Sequence, residues 1–283
     1  MKQFTKMLVA VTSVTLTLAM SSCKKEMDQP NTSTNMPAGN VPSPVAGLQQ
    51  PRNLVLLSKE GNKTLTYSTD NKLSSVDYGN GNVKNYAYSS QFALIIVDQT
   101  YKGNKSQQIT YFLDASGKAS KMAIKGYNAN GNIAFNAEYV FSYQNGKLIE
   151  QKATKGFSDT YKFLYDAKGR LEWLETYNTF GLVEKSSYRY QHYSLLPEVA
   201  DKVQRNPREA WFDEYLKIFG NFSNDLVMMQ DIYIFKNGNL STIDTYEFDH
   251  EFDNSGYVKK REERKYGAIQ NILETINYAY IKR

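Results

Sequence analysis

The stretch Tyr161-Lys162-Phe163-Leu164-Tyr165-Asp166-Ala167-Lys168-Gly169-Arg170-Leu171-Glu172-Trp173 decides the fold. Tyr161, Phe163 and Tyr165 recur at a period of two, the spacing of residues on one face of a strand. Asp166 and Gly169 then frame a tight turn. An Asp side chain accepts backbone N–H groups, and a glycine in the left-handed region closes a type I turn into a bulge. Leu171 and Trp173 resume the alternation. The hairpin so defined pairs Asp166 with Arg170, Tyr165 with Leu171, Phe163 with Trp173 and Tyr161 with Glu175. That register gathers Tyr165, Phe163, Leu171 and Trp173 on one face.

The same unit recurs along the chain. Tyr143-Gln144-Asn145-Gly146-Lys147-Leu148 and Phe235-Lys236-Asn237-Gly238-Asn239-Leu240 carry Asn-Gly, the dipeptide suited to a two-residue type I′ turn. Phe252-Asp253-Asn254-Ser255-Gly256-Tyr257-Val258 repeats the longer form, Phe112 to Ala119 is a weaker copy, and Tyr67 to Leu73 lacks the glycine. From Leu54 onward only Pro197 and Pro207 interrupt this texture, as paired strands require. Both prolines flank the one stretch without strand periodicity. There Pro207 suits a first helical turn with Asn206 as its N-cap and Glu209 in the first turn. Ala210, Trp211, Tyr215, Ile218 and Phe219 follow at helical spacing before Gly220, a C-cap residue. Pro197 to Gln204 is expected to add a further turn. The expected fold is all-β: a large curled antiparallel sheet or partial barrel built of successive hairpins, with one short helix near 207–219.

Upstream of this domain the composition changes twice. Lys2 and Lys6 precede the apolar and small residues Met7 to Met20, a segment too short for a bilayer-spanning helix of roughly 20 residues. Met20-Ser21-Ser22-Cys23 resembles a bacterial lipoprotein signal, in which the cysteine becomes the lipidated first residue of the mature chain. The resemblance implies a signal peptide over 1–22 and a lipid anchor on Cys23. Several acyl chains on one residue anchor stably where one binds only marginally. Lys24, in place of Asp, resembles signals that permit export to the outer membrane. Residues 23–51 hold Pro30, Pro37, Pro42, Pro44 and Pro51 among Asn, Thr, Ser and Gly, the composition of a disordered tether on the order of 30 Å from end to end. A single β-rich domain is expected over 52–283.

Composition narrows the chemistry. One Cys excludes a disulfide framework and a Cys-rich zinc site, and two His leave little room for a His-based metal cluster. A formal charge of +5 is modest for 283 residues. Its densest basic run, Lys259-Lys260-Arg261, is followed at once by Glu262 and Glu263, so nucleic acid is not an expected partner. The hairpin register pairs Asp249 with Arg261 and Glu251 with Lys259, which makes the run from Lys259 to Arg264 a solvated, ion-paired strand face. Carboxylate pairs such as Glu172 with Glu175 and Asp249 with Glu251 could suggest acid–base chemistry, though of these only Asp249 and Glu251 share a strand face. Neither catalytic residues, a metal site nor a cofactor is expected. His192 and His250 read as packing residues at the core or its rim. The Tyr count of 22 is the best functional hint, because an exposed concave aromatic face stacks on sugars or grips a peptide. The candidate aromatics are Trp173, Tyr188, Tyr190 and Trp211, the last also suited to anchoring a helix on a sheet.

The aromatic-Asp-x-x-Gly-Arg-Leu unit at Tyr165 to Leu171 resembles the tyrosine-aspartate repeats of the RHS type. The chain as a whole, with its lipoprotein signal, Pro-rich tether and hairpin array over roughly 50–283, resembles a family of Bacteroidetes-type lipoproteins of unknown function with a porin-like fold. The resemblance implies a curled sheet or partial barrel and brings no catalytic residues with it. The expected function is that of a non-enzymatic outer-membrane lipoprotein, facing the periplasm or the cell surface. It would be membrane-attached through Cys23 and would bind a glycan, peptide or envelope protein. The alternatives are a glycan-active enzyme using a carboxylate pair, and a structural scaffold in an envelope complex.

Overall fold

The computed structural model describes residues 54–191, 199–208, 210, 212–266 and 272–283. Cys23, the tether, His192 and Trp211 lie outside the described residues. Sixteen strands run in chain order: β1 Val55–Glu60, β2 Lys63–Tyr67, β3 Leu73–Asp77, β4 Asn82–Ser89, β5 Leu94–Tyr101 and β6 Asn104–Leu113. They continue as β7 Ala119–Tyr127, β8 Ile133–Gln144, β9 Lys147–Lys155, β10 Thr160–Tyr165, β11 Leu171–Asn178 and β12 Gly181–Arg189. The last four are β13 Met229–Lys236, β14 Asn239–Phe252, β15 Val258–Lys265 and β16 Ile272–Lys282. Each strand pairs antiparallel with its neighbours in sequence, and β16 returns to pair with β1. The expected partial barrel is therefore closed. Leu57 pairs with Tyr280 and Glu60 with Tyr278, and the backbones of Leu54 and Arg283 exchange hydrogen bonds of 3.2 and 3.0 Å. Closure leaves no unpaired edge for another chain to extend.

The turns explain the register. Asp166 Oδ1 accepts the Arg170 N–H at 2.8 Å, and the Gly169 N–H donates to the Asp166 carbonyl at 2.9 Å. Asp114, Asn128 and Asp253 repeat the arrangement, each accepting two backbone N–H groups. After each such turn the ladder slips by one residue, which is the bulge that a left-handed glycine imposes. The slip corrects the expected register beyond Tyr165–Leu171: Leu164 pairs with Trp173, and Phe163 with Leu174. Phe163, Tyr165, Leu171 and Leu174 thus face inward and Trp173 faces outward. The same slip pairs His250 with Arg261, Asp249 with Glu262 and Glu251 with Lys260. The Asn-Gly turns form as expected, with both residues at positive φ at Asn145-Gly146 and Asn237-Gly238.

The barrel is filled, not hollow. Alternate residues of β1 to β12 point inward and are almost all apolar, among them Val76, Val97, Tyr111, Met122, Tyr139, Leu148 and Leu174. Between β12 and β13, residues 199–208, 210 and 212–228 fill the interior as a plug. Phe219 is fully buried, 5.5 Å from the Tyr111 ring, 5.4 Å from Phe141 and stacked on Phe212 at 4.2 Å. Phe222 packs 5.6 Å from Phe163. The plug is also stitched to the rim, where the Ala119 N–H donates to the Ile218 carbonyl and the Leu171 N–H to the Phe222 carbonyl.

No helix forms among the described residues of 199–220, contrary to the expectation for 207–219. Asn206 does not cap a helix through its oxygen. Its amide instead donates to the carbonyls of Asp213 at 2.6 Å and Leu216 at 2.7 Å, folding the segment into a closed loop. Wall side chains then claim Asp213, Glu214 and Tyr215 individually. Local propensity of a few tenths of a kcal/mol per residue is outweighed by these buried contacts.

Candidate functional site

The junction of plug and wall holds the charged residues of the interior. Glu60 ends β1 pointing inward, and its side chain is almost wholly buried. Arg205 and Arg208 both donate to its Oε1, at 2.5 and 2.6 Å, and the Tyr215 hydroxyl donates to its Oε2 at 2.7 Å. Burial alone would raise this carboxyl. Arg205, Lys63 and Arg208, with the Tyr215 hydroxyl, outweigh burial and hold it at about 2. Lys63 reaches Glu214 at 2.7 Å. Asp213 takes Lys84 at 3.0 Å and the Tyr86 hydroxyl at 2.7 Å, and its backbone N–H donates to the Tyr111 hydroxyl at 3.1 Å. Burial and the Asp213 carboxylate together push the Tyr86 hydroxyl up, so it stays a donor.

These residues are the ones sequence reasoning missed. A signal existed for two of them. Lys84 lies in phase with the inward Tyr86, and Glu60 shares the inward side of β1 with Leu57 across a bulge. A charge in phase with core residues calls for a buried partner.

A recess of about 140 Å³ opens between the plug and the wall from β11 to β15. Tyr188 and Tyr190 both line it, as do His250, Arg205, Arg208 and Arg261. Two of the expected aromatics therefore come together, facing inward and largely buried. Tyr190 also donates its hydroxyl to the Leu171 carbonyl at 2.6 Å. Trp173 lies apart on the outer surface, 6.0 Å from Tyr233, with the Lys185 ammonium 3.9 Å over its ring. A second, larger cleft of about 670 Å³ lies where β1 to β3 meet the plug, lined by Leu57, Tyr67, Lys202 and Lys217 among others.

Three of the four carboxylates in the expected pairs meet cations, while Glu172 is exposed. Glu175 meets Lys185 at 3.1 Å and accepts the Tyr177 hydroxyl at 2.7 Å. Asp249 meets Arg264 at 2.6 Å, and Glu251 meets Lys259 and Lys260 at 3.3 and 3.0 Å. The run Lys259 to Arg264 is thus ion-paired on its outer face, while Arg261 turns inward, buried against the Phe248 ring at 5.0 Å. Among the described residues no group of three or more His, Cys, Asp or Glu gathers to hold a metal.

The outer wall mixes ion pairs with exposed apolar side chains such as Leu164, Ile243 and Leu273. Lys121 meets Glu138 at 2.6 Å, Lys105 meets Asp98 at 2.6 Å and Arg264 meets Glu262 at 2.7 Å, all on outward positions.

No protein-family model matches the chain, and neither does any curated protein. Solved structures do. A porin-like protein from Bacteroides uniformis superposes with a TM-score of 0.54 at 17% identity, over 77% of this chain and 89% of the other. A porin-like protein from Bacteroides vulgatus gives 0.57 at 14% identity, over 80% and 98%. The fold is porin-like. At such identities the likeness is one of architecture, and in this chain that architecture encloses a packed apolar core.

Proposed function

We propose that this protein is a lipid-anchored protein of the outer membrane whose barrel is a closed binding vessel, neither a pore nor an enzyme. The observation that carries this reading is the filled interior: Phe212, Phe219 and Phe222 occupy the lumen, and Glu60, Asp213 and Glu214 hold the plug to the wall. The ion pairs spread among the apolar side chains of the outer wall support the same reading. A spanning barrel needs an outward apolar band about 25 Å tall, and lysine at mid-membrane costs about 2–4 kcal/mol per residue. A barrel of this surface attaches through its lipid on Cys23, and its plug–wall recess is where a small partner would enter. The carboxylates offer little for glycan hydrolysis, because Glu175, Asp249 and Glu251 are each engaged by a cation.

Two measurements test this. Full-length protein reconstituted into planar bilayers gives no conductance steps, whereas steady ion conduction would overturn the vessel reading. Cys23→Ala shifts the protein from the membrane fraction to the soluble fraction, and unchanged membrane attachment would overturn the anchor.

A further inference from the structure

We propose that the hairpin tips at one end of the barrel dock on a phospholipid surface, dipping their apolar side chains into its interface while the polar wall stays in water. This docking rests on the lipid-anchored reading, which keeps a bilayer within reach.

The two ends of the barrel differ in kind. Strands alternate in direction, so the turns after β7, β11, β13 and β15 share one end. Those after β2, β6, β8, β10 and β14 share the other, together with Leu54 and Arg283. The second group is charged: Asp70 and Lys72, Asp114 and Lys118, Lys147, Asp166 with Lys168 and Arg170, and Asp253. The first group has no charged residue over 126–137, 176–183, 237–243 and 266–273. In place of charges these tips expose Ile133, Phe180, Leu240, Ile243, Ile272 and Leu273, with Phe180 88% exposed. Phe92, in the turn after β4, is an exposed aromatic at the charged end. Exposed apolar groups collected on one part of a surface mark an interaction site.

Three of these tips are open on both faces. Strand residues alternate between wall and lumen, yet residues 133–136, 239–243 and 272–275 are exposed without interruption. The tips therefore stand clear of the packed core. Their backbones are nonetheless paired: Tyr127 with Ile133, Lys236 with Asn239 and Arg264 with Ile272. Backbone N–H and C=O groups lose their water partners in lipid, and a paired hairpin brings its own partners with it. Behind the tips, Asp244 and Lys265 form an ion pair where the polar wall resumes.

Apolar groups on four separate hairpins suit a fluid partner. A protein must match each tip with a pocket of its own, whereas lipid closes around all of them, and apolar side chains sink about 5–10 Å into the headgroup boundary. With no cation at the tips, zwitterionic lipid suffices. Residues 24–53 extend to about 100 Å, and the 14 residues of β14 to about 48 Å, so an anchor on Cys23 lets the end away from Leu54 reach the bilayer. Without the anchor so shallow a contact is reversible, and a Cys23→Ala protein still leaves washed membranes.

Full-length protein is reconstituted with phosphatidylcholine vesicles, with and without lipid brominated in its acyl chains. Phe180→Trp reports on the apolar end and Phe92→Trp on the charged end, over the common background of Trp173 and Trp211. Brominated lipid quenches the added emission of Phe180→Trp by roughly half, a depth-dependent loss, and leaves that of Phe92→Trp unchanged. High salt alters neither result, and Leu273→Trp at a second tip behaves as Phe180→Trp does. Protein that floats with the vesicles but is quenched equally at both ends, or at neither, would overturn the docking and leave the anchor standing. Protein that does not float at all overturns the anchor and the docking together.

Discussion

Tyr165 donates its hydroxyl to the Leu148 carbonyl at 2.8 Å while the Lys147 ammonium sits 4.7 Å over the same ring. The residues that follow one hairpin's turn, a cation and then an aliphatic, thus clamp a tyrosine of the next. Tyr190 repeats it on Leu171 and Arg170, at 2.6 and 4.6 Å. Tyr143 does so on Ala119 and Lys118, at 2.8 and 5.4 Å, and Tyr88 on Leu73 and Lys72, at 3.0 and 5.6 Å. Four of the 22 tyrosines therefore join neighbouring hairpins around one rim.

Tyr165→Phe and Tyr143→Phe each lose one such hydrogen bond and should destabilise the barrel by about 0.5–1.5 kcal/mol. Lys147→Met should cost about 0.5–1 kcal/mol through the lost cation–π contact. Urea denaturation of single and double variants checks this. Tyr165→Phe and Lys147→Met share a ring and should combine non-additively, unlike Tyr165→Phe with the more distant Tyr88→Phe.

Glu60 makes stability depend on acid. Its folded-state value of about 2 lies below the ordinary 4.5. The stabilisation is therefore complete above pH 4.5 and is lost as pH falls toward 2. At 1.36 kcal/mol per unit this is on the order of 3 kcal/mol. Denaturant midpoints taken across that window should fall steeply in the natural protein and less so in Glu60→Gln. At neutral pH, Glu60→Ala should cost about 3–5 kcal/mol, because Arg205 and Arg208 lose their shared partner.

Phe219→Ala should destabilise by about 3–5 kcal/mol, the range for emptying a buried aromatic site. The cavity lies in the centre of the lumen, so the plug should loosen before the wall does. Hydrogen exchange should show faster exchange at the Ala119 and Leu171 amides, which donate to plug carbonyls, than at β5–β6 ladder amides. Uniform loss of protection would show that plug and wall melt as one unit.

Gly156 sits at φ +81°, and a Cβ there would meet the Asn136 carbonyl oxygen at 2.1 Å. Both the left-handed backbone and the close approach of β8 to the β9–β10 turn oppose any side chain. Gly156→Ala should destabilise by more than about 1 kcal/mol, whereas Gly117→Ala, with open space around it, should show only the backbone cost. Thermal midpoints of the two variants make the comparison.

The hairpins were legible in the sequence because a turn is a local event. Asp166 and Gly169 encode their own geometry within a few residues, and the alternation of Tyr161, Phe163 and Tyr165 places a core face beside it. What followed the turn was less legible. A bulge of one residue moves Trp173 to the outside and Arg261 to the inside, and a period-two pattern has no room for it. The reading of 207–219 as a helix failed for a different reason. Ala210, Tyr215, Ile218 and Phe219 do carry helix-compatible spacing, but Glu60, Lys84 and Tyr86, distant in sequence, bind Tyr215 and Asp213 one residue at a time.

The sequence by itself therefore determined an all-β chain of consecutive antiparallel hairpins with two kinds of turn, since those depend on neighbours along the backbone. Tertiary structure alone decided that the sheet closes through β1 and β16, that the lumen is filled, and that Arg261 turns inward. Closure and filling depend on contacts between residues more than a hundred positions apart, such as Glu60 with Arg205 and Lys84 with Asp213. No local pattern records such partners, because each charge is explained only by the opposite charge that folding brings to it.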